Sequence, residues 1–134
     1  MPILDLALDP ALPAWPQQGR IGILDLEFTA WEGSWKRAWS EPWEWREIVQ
    51  VGLLCVDASQ AFAALDGVEV LVRPQRNPEL SEYFQSLTGI SQDRLVREGR
   101  SLFEAMADMQ ALMSGIDMVI FNGYDGQILR ENCA

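Results

Sequence analysis

Ile21-Gly22-Ile23-Leu24-Asp25-Leu26-Glu27-Phe28 is a nearly continuous apolar run interrupted by two carboxylates. Its length suits a strand, and its apolar density suits the centre of a sheet. A carboxylate in such a strand is costly unless something pairs with it. Strand side chains alternate, so Asp25 and Glu27 project from one face, close enough to share a cation. An isolated Asp-x-Glu is a weak signal, and on an exposed strand it would be a solvated face. Here Leu24, Leu26 and Phe28 flank the acids and argue for burial.

Outward from this run, Glu47 to Val56 reads as a second strand. Phe62 to Val72 contains a third, with Val68-Glu69-Val70-Leu71-Val72 as its core and Asp57 to Gln60 as the turn. Such short connections predict an antiparallel meander. Asn77-Pro78-Glu79 has the pattern of a helix start, with Leu80, Tyr83, Phe84 and Leu87 on one face and Gly89 as the stop. Ser91 is expected to cap a short helix through Val96. Ser101-Leu102-Phe103-Glu104 fits a capping box, followed by a stripe of Leu102, Ala105, Met106, Met109, Leu112 and Met113. Met118-Val119-Ile120-Phe121, between Gly115 and Asn122-Gly123, is a fourth strand. Reached across a helix, it should lie parallel to the first. Asp125 then opens a last helix. The fold class is α/β: a mixed sheet with a three-strand antiparallel meander, a crossover helix and a parallel fourth strand.

The chain has 134 residues, which suits one domain, and 49% are hydrophobic, enough for a core. Residues 1–19 read as a loose leader, with four of the seven prolines before Gln18. No apolar run nears the roughly 18 residues that span a bilayer, and no basic region precedes an apolar stretch at the N-terminus. A cytoplasmic protein with no membrane partner is expected. There is no His and no Cys-x-x-Cys, so zinc is not expected. Cys55 reads as a buried small hydrophobe. The net charge of −10 argues against a broad phosphate-tracking surface, though not against an enzyme that touches a few nucleotides where cations supply positive charge. No phosphate loop is present.

Ala30 to Arg46 holds Trp31, Trp35, Trp39, Trp43 and Trp45, with Pro42 blocking a continuous helix. Spacings of four would stack Trp31, Trp35 and Trp39 on one helical face. The plainer alternative is a loop packed down by its own aromatics; the functional one is a flap that stacks on nucleobases. If the first and fourth strands are neighbours, Asp125 sits just past the carboxyl end of the fourth, where ligand sites of open α/β sheets form. Asp25, Glu27 and Asp125 then converge as hard oxygen ligands, which favour Mg²⁺ or Mn²⁺.

Four segments, in order, carry a resemblance. Ile23-Leu24-Asp25-Leu26-Glu27-Phe28-Thr29 resembles the first motif of the DEDD exonuclease superfamily, the group of RNase T and the bacterial proofreading subunits. Glu47-Ile48-Val49-Gln50-Val51-Gly52 resembles its second strand. Val72-Arg73-Pro74 followed by Leu87-Thr88-Gly89-Ile90 resembles its strand exit and Leu-Thr-Gly-Ile turn. Phe121-Asn122-Gly123-Tyr124-Asp125 resembles its second catalytic motif. The long insertion after the first motif is more similar to the histone-messenger and small-RNA branch.

The resemblance implies a ribonuclease H-like fold and hydrolysis of RNA or single-stranded DNA from a 3′ end. It implies two Mg²⁺ or Mn²⁺ ions on the catalytic acids Asp25, Glu27 and Asp125. It also implies terminal-nucleotide contacts from Phe28, Thr29 and Trp31 and a base pocket at Leu87, Thr88 and Ile90. Arg73 and Arg76 are candidates for phosphate contacts; a homodimer is one option, since dimers are common among relatives, but the residues themselves do not give the oligomeric state. The superfamily also has a third motif, a His or Tyr general base shortly before a final Asp. This chain has no His, and neither Tyr83 nor Tyr124 follows Asp125. Residues 20–134 are therefore expected to be a partial exonuclease domain, its last strand and helix missing, with little activity of its own. A non-catalytic module that binds nucleic acid or protein is the alternative.

Overall fold

The computed structural model describes residues 16–134; positions 1–15 of the expected leader lie outside the described residues. The strands are β1 (Arg20–Phe28), β2 (Ile48–Asp57), β3 (Ala63–Leu71) and β4 (Met118–Phe121). The helices are α1 (Glu82–Thr88), α2 (Gln92–Glu98), α3 (Leu102–Met113) and α4 (Asp125–Cys133). One sheet runs in the order β3-β2-β1-β4. β1 is antiparallel to β2 and parallel to β4, and β2 is antiparallel to β3. The Ile21–Phe28 run is thus an interior strand, and the meander, crossover and parallel fourth strand are all present. No helix among the described residues is long and apolar enough to cross a membrane.

Alternation along β1 divides the core. Leu24 and Leu26, with Val51, Leu53 and Val70 from the neighbouring strands, face Ala105 and Met109 of α3 and Ile128 of α4. These three helical residues are fully buried. A large apolar side chain so buried contributes roughly 1.5–3 kcal/mol. On the opposite face, Val49 and Leu71 pack under Leu80, Phe84, Ile90 and Leu95 of the α1–α2 region. Cys55 is buried and free, as its apolar surroundings suggest.

Two local expectations are corrected. Helix α1 begins at Glu82, with Ser81 as the cap accepting the Phe84 N–H. Asn77 does not cap: its two donors are tied to other segments, and its side-chain Oδ1 meets no donor among the described residues. Its N–H donates to the Glu47 carboxylate at 2.7 Å, and its side-chain amide donates to the Trp43 carbonyl at 3.0 Å. With the start moved, Leu80 and Phe84 are buried while Tyr83 and Leu87 face outward.

The Trp-rich segment is no helix. It is a series of turns in which Ala38 and Trp39 both take positive φ, 53° each, and reverse the chain. A buried carboxylate organises it. Glu44 pairs with Arg37 and accepts hydrogen bonds from the Ser34 hydroxyl at 2.5 Å and the Glu41 N–H at 3.2 Å. The guanidinium holds the Glu44 carboxyl below its ordinary range, against the opposing effect of burial. The segment is thus a loop tied down from within, closer to the plainer of the two sequence readings.

Candidate active site

Asp25 and Glu27 lie two apart on β1 and point to the same face. Across from Asp25 on β2 is Gly52, so no side chain crowds the acid from that side. On the other side β4 stops pairing at Phe121, opposite Leu24. The Asn122 N–H still donates to the Leu24 carbonyl at 3.2 Å, and the Asn122 amide donates to Asp25 Oδ1 at 2.9 Å. Asn122 is a positioning residue that the sequence placed in the second motif without a role. An Asn before Gly reads first as turn chemistry.

Asp125 is the first residue of α4, and its buried carboxylate accepts the Leu26 N–H through Oδ2 at 2.8 Å. Leu26 stands between the two strand acids, so this bond brings the third carboxylate to the same short stretch. Burial pushes the Glu27 carboxyl up, and the nearby Asp25 and Asp125 push it further. Burial also raises Asp125, with Asp25 adding to the rise and the Leu26 N–H opposing it. None of the three joins an ion pair among the described residues. The donor set is all hard oxygen, negative and without a cationic partner, which fits Mg²⁺ or Mn²⁺. No three His, Cys, Asp or Glu side chains among the described residues form a ready-made metal cage. Asp25 and Asp125 come within hydrogen-bonding reach of each other, and Glu27 senses both.

A cleft of about 230 Å³ opens beside Glu27, walled by Phe28, Trp35, Trp39, Tyr83 and Leu87. Trp39 is fixed there. Its indole N–H donates to the Thr29 carbonyl at 2.9 Å, and its ring meets Phe28 at 5.4 Å between centroids. Trp35 stands edge-on to Trp39 at 5.9 Å and reaches Tyr124 at 6.1 Å. Of the residues expected to touch a nucleotide, Phe28 and Leu87 line this cleft.

Thr29, Trp31, Thr88 and Ile90 do not line it. The Thr29 hydroxyl donates to the Trp45 carbonyl and accepts the Glu47 N–H, so it is structural. Thr88 Oγ1 donates to the Phe84 carbonyl at 2.8 Å and accepts the Ile90 N–H, completing the end of α1. Ile90 is 2% exposed and belongs to the core. Trp35, Trp39 and Tyr83 line it instead. Four-residue spacing favoured a Trp31–Trp39 stripe, but two left-handed residues break the helix on which that depended.

No protein-family model matches the chain, and no curated protein matches it significantly. Solved structures do. The nuclease domain of 3′hExo, a DEDDh family member bound to rAMP, is 23% identical with a TM-score of 0.71, over 87% of this chain and 58% of that one. A full-length 3′-exonuclease is 24% identical with a TM-score of 0.67, over 82% of this chain and 49% of that one. An Exonuclease I from Methylocaldum szegediense is 13% identical with a TM-score of 0.61, over 85% and 23%. The chain spans about half the length of the first two. Sheet order, helix placement and these likenesses together show that the chain has the ribonuclease H-like α/β fold of the DEDD 3′-exonucleases.

Proposed function

We propose that the chain serves in a 3′→5′ exonuclease, a hydrolase that cleaves phosphodiester bonds from the 3′ end of RNA or single-stranded DNA. The observation that supports this reading is the approach of Asp25, Glu27 and Asp125 around the Leu26 N–H, with no cationic side chain paired to any of them. A structural cluster of acids would normally be neutralised from within. Asp25, Glu27 and Asp125 would hold the divalent cations, and Asn122 would orient Asp25. Bound there, the ions supply activation of water and stabilisation of the leaving 3′ oxygen. The cleft at Phe28, Trp39 and Leu87 takes the terminal base by apolar contact and stacking, and Glu27 links it to the acids.

A titration with Mn²⁺, read by Trp fluorescence, tests the site without relying on turnover. Wild type is expected to respond and Asp125→Asn to bind at least about tenfold more weakly. No wild-type response, or one that Asp125→Asn leaves unchanged, overturns the metal site. On 3′-labelled RNA and single-stranded DNA with Mn²⁺, these 134 residues are expected to be feeble catalysts, because no histidine is present to act as general base.

A second reading, a nucleic-acid-binding module on the same fold, is favoured by one observation: the acids form no ready-made cage. It expects oligonucleotide binding with no response to Mn²⁺.

A further inference from the structure

We propose that a second nucleic-acid contact lies beside the candidate active site, in a groove between Trp45–Arg46 and Arg73–Arg76 that takes the phosphodiester backbone of a single strand. The choice of occupant rests on the nuclease reading. The chain carries only ten Lys and Arg against twenty Asp and Glu, yet three of its arginines, Arg46, Arg73 and Arg76, line one groove of about 450 Å³. The groove's two acidic side chains are already engaged, and Ala134, the last residue of these 134, also lines it. The Glu47 carboxylate accepts the N–H groups of Gln75, Arg76 and Asn77 at 2.7–2.9 Å. Glu131 is paired with Arg46 at 2.5 Å and accepts from Gln127. Arg73 and Arg76 take part in no ion pair among the described residues.

The geometry of Arg73 and Arg76 suits a phosphate. The Arg76 guanidinium lies over the Trp45 ring, 3.7 Å from its centroid. Stacking uses the flat face of the group and leaves its in-plane N–H fork open to an anion. Arg73 spends one N–H on the Val96 carbonyl at 3.0 Å and keeps its remaining donors. The main chain beneath them is held still. Arg73 N–H donates to the Arg100 carbonyl, and the next turn hangs from Glu47. Trp45 is 48% exposed, so a base can stack beside the phosphate contacts.

Position supplies the remaining argument. The Thr29 N–H donates to the Glu47 carbonyl at 2.9 Å, and the Thr29 hydroxyl donates to the Trp45 carbonyl. Thr29 is two residues beyond Glu27, so the Trp45–Glu47 edge of the groove is hydrogen-bonded to the exit of the strand that carries the acids. A strand whose terminal base enters the Phe28–Trp39 cleft can lay its preceding phosphates along this edge. A local cluster of this kind is compatible with the acidic whole, because it needs only two or three contacts rather than a basic face.

The test is fluorescence anisotropy of a short fluorescein-labelled oligothymidylate with the full 134-residue chain at low salt in EDTA. Arg73→Gln and Arg76→Gln are each expected to weaken binding about tenfold, the ratio matching loss of one charge-assisted hydrogen bond. Each should also flatten the salt dependence by about 0.7 log units per log unit of salt. Arg97→Gln, the same charge change at an exposed α2 arginine paired with Glu98, should leave binding unchanged. Circular dichroism confirms folding of each variant, and Arg76→Lys, which keeps charge but not the planar fork, should bind with intermediate strength. The proposal is overturned if wild type does not bind, if Arg73→Gln and Arg76→Gln bind as wild type does, or if Arg97→Gln weakens binding equally. A positive Mn²⁺ titration alongside any of those results leaves the nuclease reading standing; its failure alongside intact groove binding removes that reading and leaves a binding module.

Discussion

Asp125 uses one carboxylate oxygen on the Leu26 N–H, and this bond carries the third acid to the other two. The resulting crowding has a thermodynamic sign. Glu27 ionises less readily in the fold than in the open chain, chiefly through burial and then through Asp25 and Asp125. A carboxyl raised in this way favours the fold while protonated and loses that contribution as pH rises through its raised value, so at neutral pH it opposes folding. Glu27→Gln should therefore raise the melting temperature of the cation-free protein by a few degrees at neutral pH, and the gain should fade on acidification. Scanning calorimetry in EDTA checks this; an unchanged or lowered melting temperature would mean that the acids do not repel. Glu44 has the opposite sign. Arg37 lowers its carboxyl below the usual 4.5, so its contribution is present above that pH and disappears as pH falls through the lowered value. Glu44→Gln should melt several degrees lower at neutral pH and converge on wild type in acid.

Among the elements, β1 and α3 are where pattern and structure agree, because both bury a periodic apolar face and carry local signals at their ends. The Ser101–Glu104 capping box forms as the spacing predicts. Helix α1 shows how such a signal misleads. Asn77-Pro78-Glu79 carries every mark of a helix start, yet the Glu47 carboxylate claims three successive N–H groups there and postpones the helix to Ser81. Ser81 also donates to the Ala30 carbonyl, tying α1 to the exit of β1. Ser81→Ala should cost about 1 kcal/mol in urea denaturation. If it costs nothing, Ser81 is not the effective cap. The Trp-rich insertion was open from its spacing because four-residue intervals fit a helix as well as a set of turns; Ala38, Trp39 and the buried Glu44 decided it.

At the scale of the whole molecule, the site depends on α4 being docked against a strand far away in sequence. Asn132 performs that docking: its Oδ1 accepts the Ile48 N–H at 3.0 Å, and its amide donates to the Arg46 carbonyl at 2.8 Å. Asn132→Ala leaves both partners unmatched and should cost roughly 1–3 kcal/mol. Because Asp125 rides on the same helix, Mn²⁺ affinity should fall as well; a stability loss with affinity unchanged would show that Leu26 alone holds Asp125 in place. Residue order by itself determined the strands, the α3 cap, the mixed sheet and the pairing of Asp25 with Glu27, because these follow from periodicities of two and 3.6 and from local backbone chemistry. Tertiary structure alone decided which aromatics wall the cleft, that Thr29 and Ile90 are structural and that Arg76 lies on Trp45. Those facts depend on hydrogen bonds and ring contacts between segments 10 to 99 residues apart, such as Trp39 to Thr29 and Asp125 to Leu26, and local pattern holds no record of such distances.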